Sequence, residues 1–521
     1  MSSFYVTTAI PYVNAEPHLG FALELVQADV LARYHRLRGD DTWFLTGTDE
    51  NSLTNVLAAE REGLAARALV DRNAAVFRAL TGALRIDNDD FIRTATDPRH
   101  LAGARHLWKA CVDAGDVYRR PYRGLYCVRC ERFYAAEELE DGRCPEHDVV
   151  PELIEEDNYF FRLSRHETRL AELLDSGALR IVPESRHREV RAFIARGLTD
   201  FSISRSDARA RGWGIPVPGD PGQVMYVWFD ALANYISALG YGGGDPPRFR
   251  RHWIDNPHRV HVIGKDIVRF HAVYWPAMLL SAGLPLPTTI LAHGFLTRHG
   301  QRMSKTLGTG VDPVALAQSW GVDAVRYWLL HEVPPTGDAD YTDVSLARAY
   351  TADLANDLGN LLQRTVSMVH RYRNGAVPEQ RGGEPSPLGA LAATLPATIH
   401  RALGEEWDPR LALDGILALA RDANRFVEDT RPWALARAER EGEDGARRRL
   451  DAVLRELLEA LRFIAEALRP FLPDTAASIA AQLGAAPAEH WLSALCWNGL
   501  RAGAPVGTPA PLFPRREPIH S

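Results

Sequence analysis

The stretch from Phe4 to Phe21, FYVTTAIPYVNAEPHLGF, constrains the fold more than any other part of the sequence. Phe4-Tyr5-Val6-Thr7-Thr8 is apolar and β-branched, which predicts a strand. Pro11, Asn14 and Pro17 break that pattern and predict a loop. Beyond His18-Leu19-Gly20 the spacing turns helical, with Leu23, Leu25, Val26, Val30 and Leu31 forming one apolar stripe. A helix that starts at the carboxyl end of a strand offers free N–H groups and a partial positive charge, which suits a polyphosphate. Gly20 lets a flat base or sugar lie on the backbone. His18 can donate to a phosphate oxygen.

The remaining sequence is long enough for several domains. It has 521 residues, 46% hydrophobic and 24% charged, the composition of an ordinary globular protein with ample core. No apolar run approaches a membrane span, and Met1-Ser2-Ser3 leads straight into the first strand, so the expectation is a cytoplasmic protein with no membrane association. The formal charge is −7, so any nucleic-acid contact must come from local basic patches. Lysine occurs only at Lys109, Lys265 and Lys305 among 60 basic residues. A lysine that persists against such a bias marks a place where a compact ammonium is wanted.

Residues 1 to about 115 read as alternating strands and helices. A second strand, Thr42 to Thr46, ends at Gly47-Thr48-Asp49-Glu50, where an open sheet places ligand groups. Asp49 there can receive a substrate ammonium or cap a helix. From about Arg119 the composition changes. Cys127-x2-Cys130 and Cys144-x2-His147, thirteen residues apart, form two tight knuckles suited to one tetrahedral zinc ion. Four protein ligands close the coordination, so the ion is structural. Cys111 and Cys496 lie outside the pattern and read as buried small hydrophobes.

Trp228, Ala231, Leu232 and Tyr235 share one helical face, and Gly264-Lys265-Asp266 follows the apolar run from Val260 to Ile263. Arg302 to Lys305 lie on a glycine-flanked loop. After about Val322 the spacing is helical, with a Gly/Pro-rich connection over 374–387 and Pro432 breaking the pattern before Trp433.

HLGF near the amino terminus and RMSKT near position 300 resemble the two signature motifs of class I aminoacyl-tRNA synthetases. IPYVNAEPHLG, GTDE, YVWFDAL, GKDIVRFHAVYWP and MSKTLG resemble the methionyl-tRNA synthetase branch, and the resemblance runs from Phe4 to the carboxyl end. It implies an α/β, Rossmann-type catalytic domain in two parts (1–117 and 225–322). Between them lies a connective-peptide insertion with the zinc knuckle (118–224). Linking helices (323–373) and an α-helical anticodon-binding domain (374–521) follow.

The resemblance also implies roles. His18, Arg302 and Lys305 act in catalysis. His18, Gly20, Glu24, Gly264, Asp266 and Lys305 bind ATP, which brings Mg2+. Asp49 holds the amino group of L-methionine, and Ile10, Tyr12, Trp228, Ala231, Leu232, Tyr235, Ile267, Phe270, His271 and Trp275 wall its side chain. Tyr235 and His271 then supply a weak polar contact to sulfur. Such a box separates near-isosteres by only about 1–3 kcal/mol, so homocysteine is expected to be misactivated. Asn360, Arg364 and Trp433 read the CAU anticodon of tRNA(Met). The chain carries no appended OB-fold, which implies a monomer.

Three departures stand out. Phe21 replaces the second histidine of the usual signature and cannot donate to a phosphate. Asn51-Ser52 follow the GTDE stretch where His-Gly is usual. Arg302 replaces the first lysine of the second signature. These leave open two other readings, a paralogue that activates methionine or another amino acid for a biosynthetic or resistance role, and a non-catalytic tRNA-binding protein.

Overall fold

A computed structural model describes the chain apart from residues 1, 129–131, 135, 146–147, 244–245, 304–308, 380–385, 487 and 517–521. The chain divides into two compact units. One comprises Met1–Ala28, Asp41–Gly82 and Ile86–Phe295; the other comprises Asp29–Asp40, Ala83–Arg85 and Leu296–Ser521.

The first unit is built on a six-stranded sheet. Its order is Asp90–Arg93, Asp41–Thr48, Ser3–Thr8, Arg259–Gly264, Thr289–His293, Arg180–Val182, and every pairing is parallel. The central strands read as near-continuous apolar runs because both faces are covered: Arg259–Gly264 is buried along its whole length. Tyr5, Leu45, Ile92, Ile263 and Ile290 join Trp253 and Trp275 in one core. The chain leaves Ser3–Thr8 toward one edge of the sheet and returns at Arg259–Gly264 to build the other. The carboxyl ends of these two neighbouring strands are therefore the switch point where open α/β sheets bind ligands.

The predicted strand, loop and helix at the amino terminus are Ser3–Thr8, a connection, and the helix Leu19–Leu37. A four-stranded antiparallel sheet follows the first part of the nucleotide fold, in the order Arg132–Tyr134, Val117–Cys127, Glu152–Phe161, Phe201–Ser202. Arg180–Val182, inside the segment expected to be an insertion, instead adds the edge strand of the nucleotide sheet by pairing with Thr289–His293.

The second unit is helical around two long amphipathic helices, Pro409–Thr430 and Ala446–Leu468. Arg431 at φ 46° separates the first from Pro432–Arg440, so the chain turns where Pro432 predicts a break. A buried ion pair, Arg326 to Asp29 at 2.7 Å, ties this unit together. Cys111 is fully buried as expected, but Cys496 is exposed. Cys496 follows the short helix Trp491–Ala494 on an irregular carboxyl segment, and no apolar cluster among the described residues covers it, so its expected burial is corrected.

Candidate functional site

Gly20 has a job that its type alone only hints at. A Cβ there would come within 2.9 Å of His18 Cε1, so only glycine lets the imidazole fold against the helix start. Gly20 N–H donates to His18 Nδ1 at 3.1 Å. Nδ1 is thus the acceptor, and the ring hydrogen sits on Nε2, free to donate elsewhere. The ring reaches solvent, yet the protein packed around it displaces water and lowers its pKa, so His18 is neutral near pH 7.

Asp49 closes the second strand and is 3% exposed. Its N–H donates to Pro11 O at 2.9 Å, its carbonyl accepts from Asn55 Nδ2 at 3.1 Å, and it bridges to Tyr12. The backbone therefore fixes where this buried carboxylate stands. Its neighbour Glu50 is engaged structurally, accepting from Thr48 Oγ1 at 2.9 Å and from Arg93 at 2.6 Å.

Beside these lies an aromatic chamber. Trp228 and Phe270 stack at 3.8 Å and 6°, and His271 meets Trp228 edge-on at 6.4 Å. Tyr235 lies 6.0 Å from Trp275. Leu232, Tyr235, Phe270 and Trp275 belong to one buried core cluster, and Tyr12, Trp228 and Ile267 pack against it. Ala231 is buried on the same short helix as Trp228, and Ile10 is half-buried on the loop after the first strand. Trp228 Nε1 is buried with no hydrogen-bond partner among the described residues, a donor left for a ligand.

Hydrogen placement in this chamber follows from its partners. His271 Nδ1 lies 2.9 Å from Ile267 O, which can only accept, so Nδ1 carries the hydrogen. Nε2 then accepts from Tyr235 O–H at 2.8 Å. Both polar groups expected to touch sulfur are therefore already bonded, and Tyr235 keeps only a lone pair to offer. Burial pushes the His271 pKa down to about 4. As pH falls from about 6.5 toward 4, an unfolded histidine takes up a proton that the folded site refuses. Stability should drop across that window by on the order of 3 kcal/mol from this group, and be unaffected by it above the window. Urea midpoints at pH 7 and 4.5 should show a smaller pH difference in His271→Asn than in the wild type.

The three departures from the usual motifs have structural partners. Phe21 packs edge-on against Phe77 at 5.4 Å, in a small cluster with Val13 and Val70. Ser52 caps the helix Leu53–Arg61 by accepting from Thr54 N–H at 3.0 Å. Asn51 Nδ2 donates to the buried Asp230 at 2.8 Å, and His100 Nε2 meets the other Asp230 oxygen at 2.7 Å.

On the remaining strand ends, Gly264 lies beside Asp266: a Cβ on it would come within 2.7 Å of Asp266 Oδ1. Glu24, buried on the first helix, meets His293 at 3.0 Å. His293 was not singled out from the sequence; its place at the carboxyl end of an apolar run was the available signal.

Cys127 and Cys144 are buried in one small cluster with Tyr134, whose hydroxyl lies 3.3 Å from Cys144 Sγ. Two buried thiols brought together from distant positions fit a zinc site. Cys130, His147 and Lys305 lie outside the described residues, as does the side chain of Arg302. His331, Glu332 and Asp353 approach within 4.8 Å of one another. Ion pairs and hydrogen bonds explain them without a metal, since His331 bonds Glu332 at 3.0 Å and Asp414 at 2.9 Å, and Tyr327 bonds Asp353 at 2.9 Å.

In the second unit, Asn360 opens the helix Asn360–Arg373, and Arg364 pairs with Glu428 at 2.5 Å. Trp433 is 44% exposed, one of few large apolar side chains at the surface.

Comparisons with known proteins agree with this geometry. The family model described as tRNA synthetases class I (M) matches residues 4–150 and 136–366. Methionine–tRNA ligase of Brucella melitensis biotype 1 is 41% identical over 98% of both chains, and that of Mycobacterium bovis is 43% identical over 99% of both. The solved structure of Mycobacterium tuberculosis methionyl-tRNA synthetase in complex with methionyl-adenylate is 42% identical. It superposes with a TM-score of 0.92 over 99% of this chain and 100% of that one. The chain belongs to the class I (M) tRNA synthetases, the family of the methionine–tRNA ligases.

Proposed function

We propose that the chain is an ATP-dependent methionine–tRNA ligase that works in the cytoplasm as a monomer. The methionine carboxylate attacks the α-phosphorus of ATP, giving methionyl-adenylate and pyrophosphate. The 2′-hydroxyl of the terminal adenosine of tRNA(Met) then takes the acyl group, releasing AMP. The observation that carries the reading is the pairing of a buried, backbone-fixed carboxylate, Asp49, with an aromatic chamber on the same unit. A flexible thioether makes favourable contacts with aromatic edges, and the carboxylate matches the ammonium at the other end of the same substrate.

Catalysis is positioning and charge stabilisation, with no covalent enzyme intermediate. His18 donates its Nε2–H to a phosphate. Gly20, Glu24, Gly264 and Asp266 hold the adenosine. Lys305 neutralises charge on the departing pyrophosphate, with Arg302 beside it in sequence. Magnesium bound with ATP adds charge neutralisation. Cys127, Cys130, Cys144 and His147 would hold a zinc ion that would brace the insertion. The CAU anticodon is read by Trp433, whose exposed indole suits stacking of a flipped base, with Asn360 and Arg364 on base edges.

ATP–pyrophosphate exchange over a panel of amino acids tests the reading. Methionine-dependent exchange, followed by charging of a CAU-anticodon tRNA, is the expected result. Exchange with a different amino acid would overturn methionine as the substrate, and no exchange at all would overturn the enzyme.

A further inference from the structure

His293 ends the strand Thr289–His293 and is 8% exposed. Its Nδ1 lies 2.8 Å from Gly294 O, and a carbonyl only accepts, so Nδ1 carries a hydrogen. Its Nε2 lies 3.0 Å from Glu24 Oε2. A bare nitrogen lone pair against a carboxylate would be repulsive, so this contact holds a second hydrogen. The pair is either imidazolium with carboxylate or imidazole with carboxylic acid; both are neutral overall and share one exchangeable proton.

Glu24 is 5% exposed, and its Oε1 has no hydrogen-bond partner among the described residues. Burial raises the Glu24 carboxyl's pKa, against the pull of His293; the Ala9 amide nearby gives its hydrogen to Val262 O at 3.1 Å. A Cβ on Gly264 would stand 2.7 Å from Asp266 Oδ1 and 3.9 Å from His293 Cε1, so these groups border one space. Asp266 is the charged neighbour of the pair and acts on both members, and Tyr235 is the titratable group on which Glu24 acts.

We propose that His293 is a positioning residue of the nucleotide site: it fixes Glu24 Oε2 and cancels its charge, leaving Oε1 to accept a hydrogen bond from the adenosine of ATP. The inference rests on the ATP site proposed above. Without the shared proton, two carboxylates, Glu24 and Asp266, would face the bound nucleotide. Burial lowers the His293 pKa, but the bond to Glu24 outweighs it and raises the pKa above that of a free imidazole, so the shared proton is held to higher pH.

The test is KM for ATP and for methionine in pyrophosphate exchange between pH 6.5 and 9. His293→Leu should raise KM for ATP about tenfold, the loss of one charged hydrogen bond, with KM for methionine within about twofold. His293→Gln, whose amide still donates to Glu24 but cancels none of its charge, should recover part of that loss at pH 7. It should also lack the rise in KM for ATP that the wild type shows toward pH 9. An unchanged KM for ATP in His293→Leu, or both KM values rising together, would overturn the proposal. If His293→Leu does not fold, identical pH profiles for His293→Gln and wild type would overturn it. Should the wild type activate no amino acid, the functional reading fails separately, and ATP affinity by calorimetry still decides. Equal affinities of wild type and His293→Leu, or of wild type and His293→Gln at pH 9 if the leucine variant is unfolded, would then count against it.

Discussion

Asp49→Asn should lower kcat/KM for methionine by roughly 10²–10³, with KM for ATP changed only a few-fold. The carboxylate is 3% exposed, and its backbone is held by Pro11, Asn55 and Tyr12. The substitution therefore removes charge without moving the chain. Removing one partner of a desolvated ion pair costs about 3–5 kcal/mol, because the other charge is left buried alone. In the role proposed for Asp49 that charge is the substrate ammonium, so the loss appears in binding and in every later step. Pyrophosphate exchange against varied methionine measures it, and a melting temperature close to wild type separates it from misfolding. A loss smaller than tenfold would mean that the ammonium is held elsewhere.

Arg326→Met should destabilise the second unit by about 3–5 kcal/mol. Arg326 and Asp29 are both 0% exposed at their side chains and meet at 2.7 Å. The guanidinium also donates to Phe471 O at 2.8 Å and Leu84 O at 3.1 Å. One side chain thus satisfies carbonyls from two turns and the charge of Asp29 on the first helix. Methionine fills similar volume but satisfies none of them, and the Asp29 carboxylate is left buried without the guanidinium that meets it at 2.7 Å. Urea unfolding at constant m-value gives the loss. The double variant Asp29→Leu with Arg326→Met should recover much of it, since a buried pair replaced by apolar groups is often neutral. A single-variant loss below about 1 kcal/mol would show that water reaches the pair.

Much of the candidate site was legible because its parts are local. His18 and Gly20 lie two residues apart, and the need for glycine there comes from the imidazole itself. Asp49 sits at the carboxyl end of a strand whose apolar run is visible in sequence. Trp228 and Tyr235 lie at helical spacing, and Cys127 and Cys144, paired by spacing in the sequence, share one buried cluster. What was missed is equally specific. Arg180–Val182 is too short to read as a strand, and only pairing with Thr289–His293 defines it. Asn51 donates to the buried Asp230, a partner 179 residues away that only the fold brings near. Phe21, which cannot donate to a phosphate, packs against Phe77, a contact that the sequence alone does not show.

The sequence by itself determined the period of each element, the places where strands end and helices begin, and the residue types gathered at those ends. These depend on backbone stereochemistry and on neighbours within a turn or two. Only the tertiary structure decided which distant groups share a proton. Tyr235 spends its hydrogen on His271, His293 meets Glu24 across the sheet, and Arg326 finds Asp29. The reason is physical. A hydrogen's position and a group's charge are set by how far burial removes water and by which acceptor lies within 3 Å, and long-range packing fixes both.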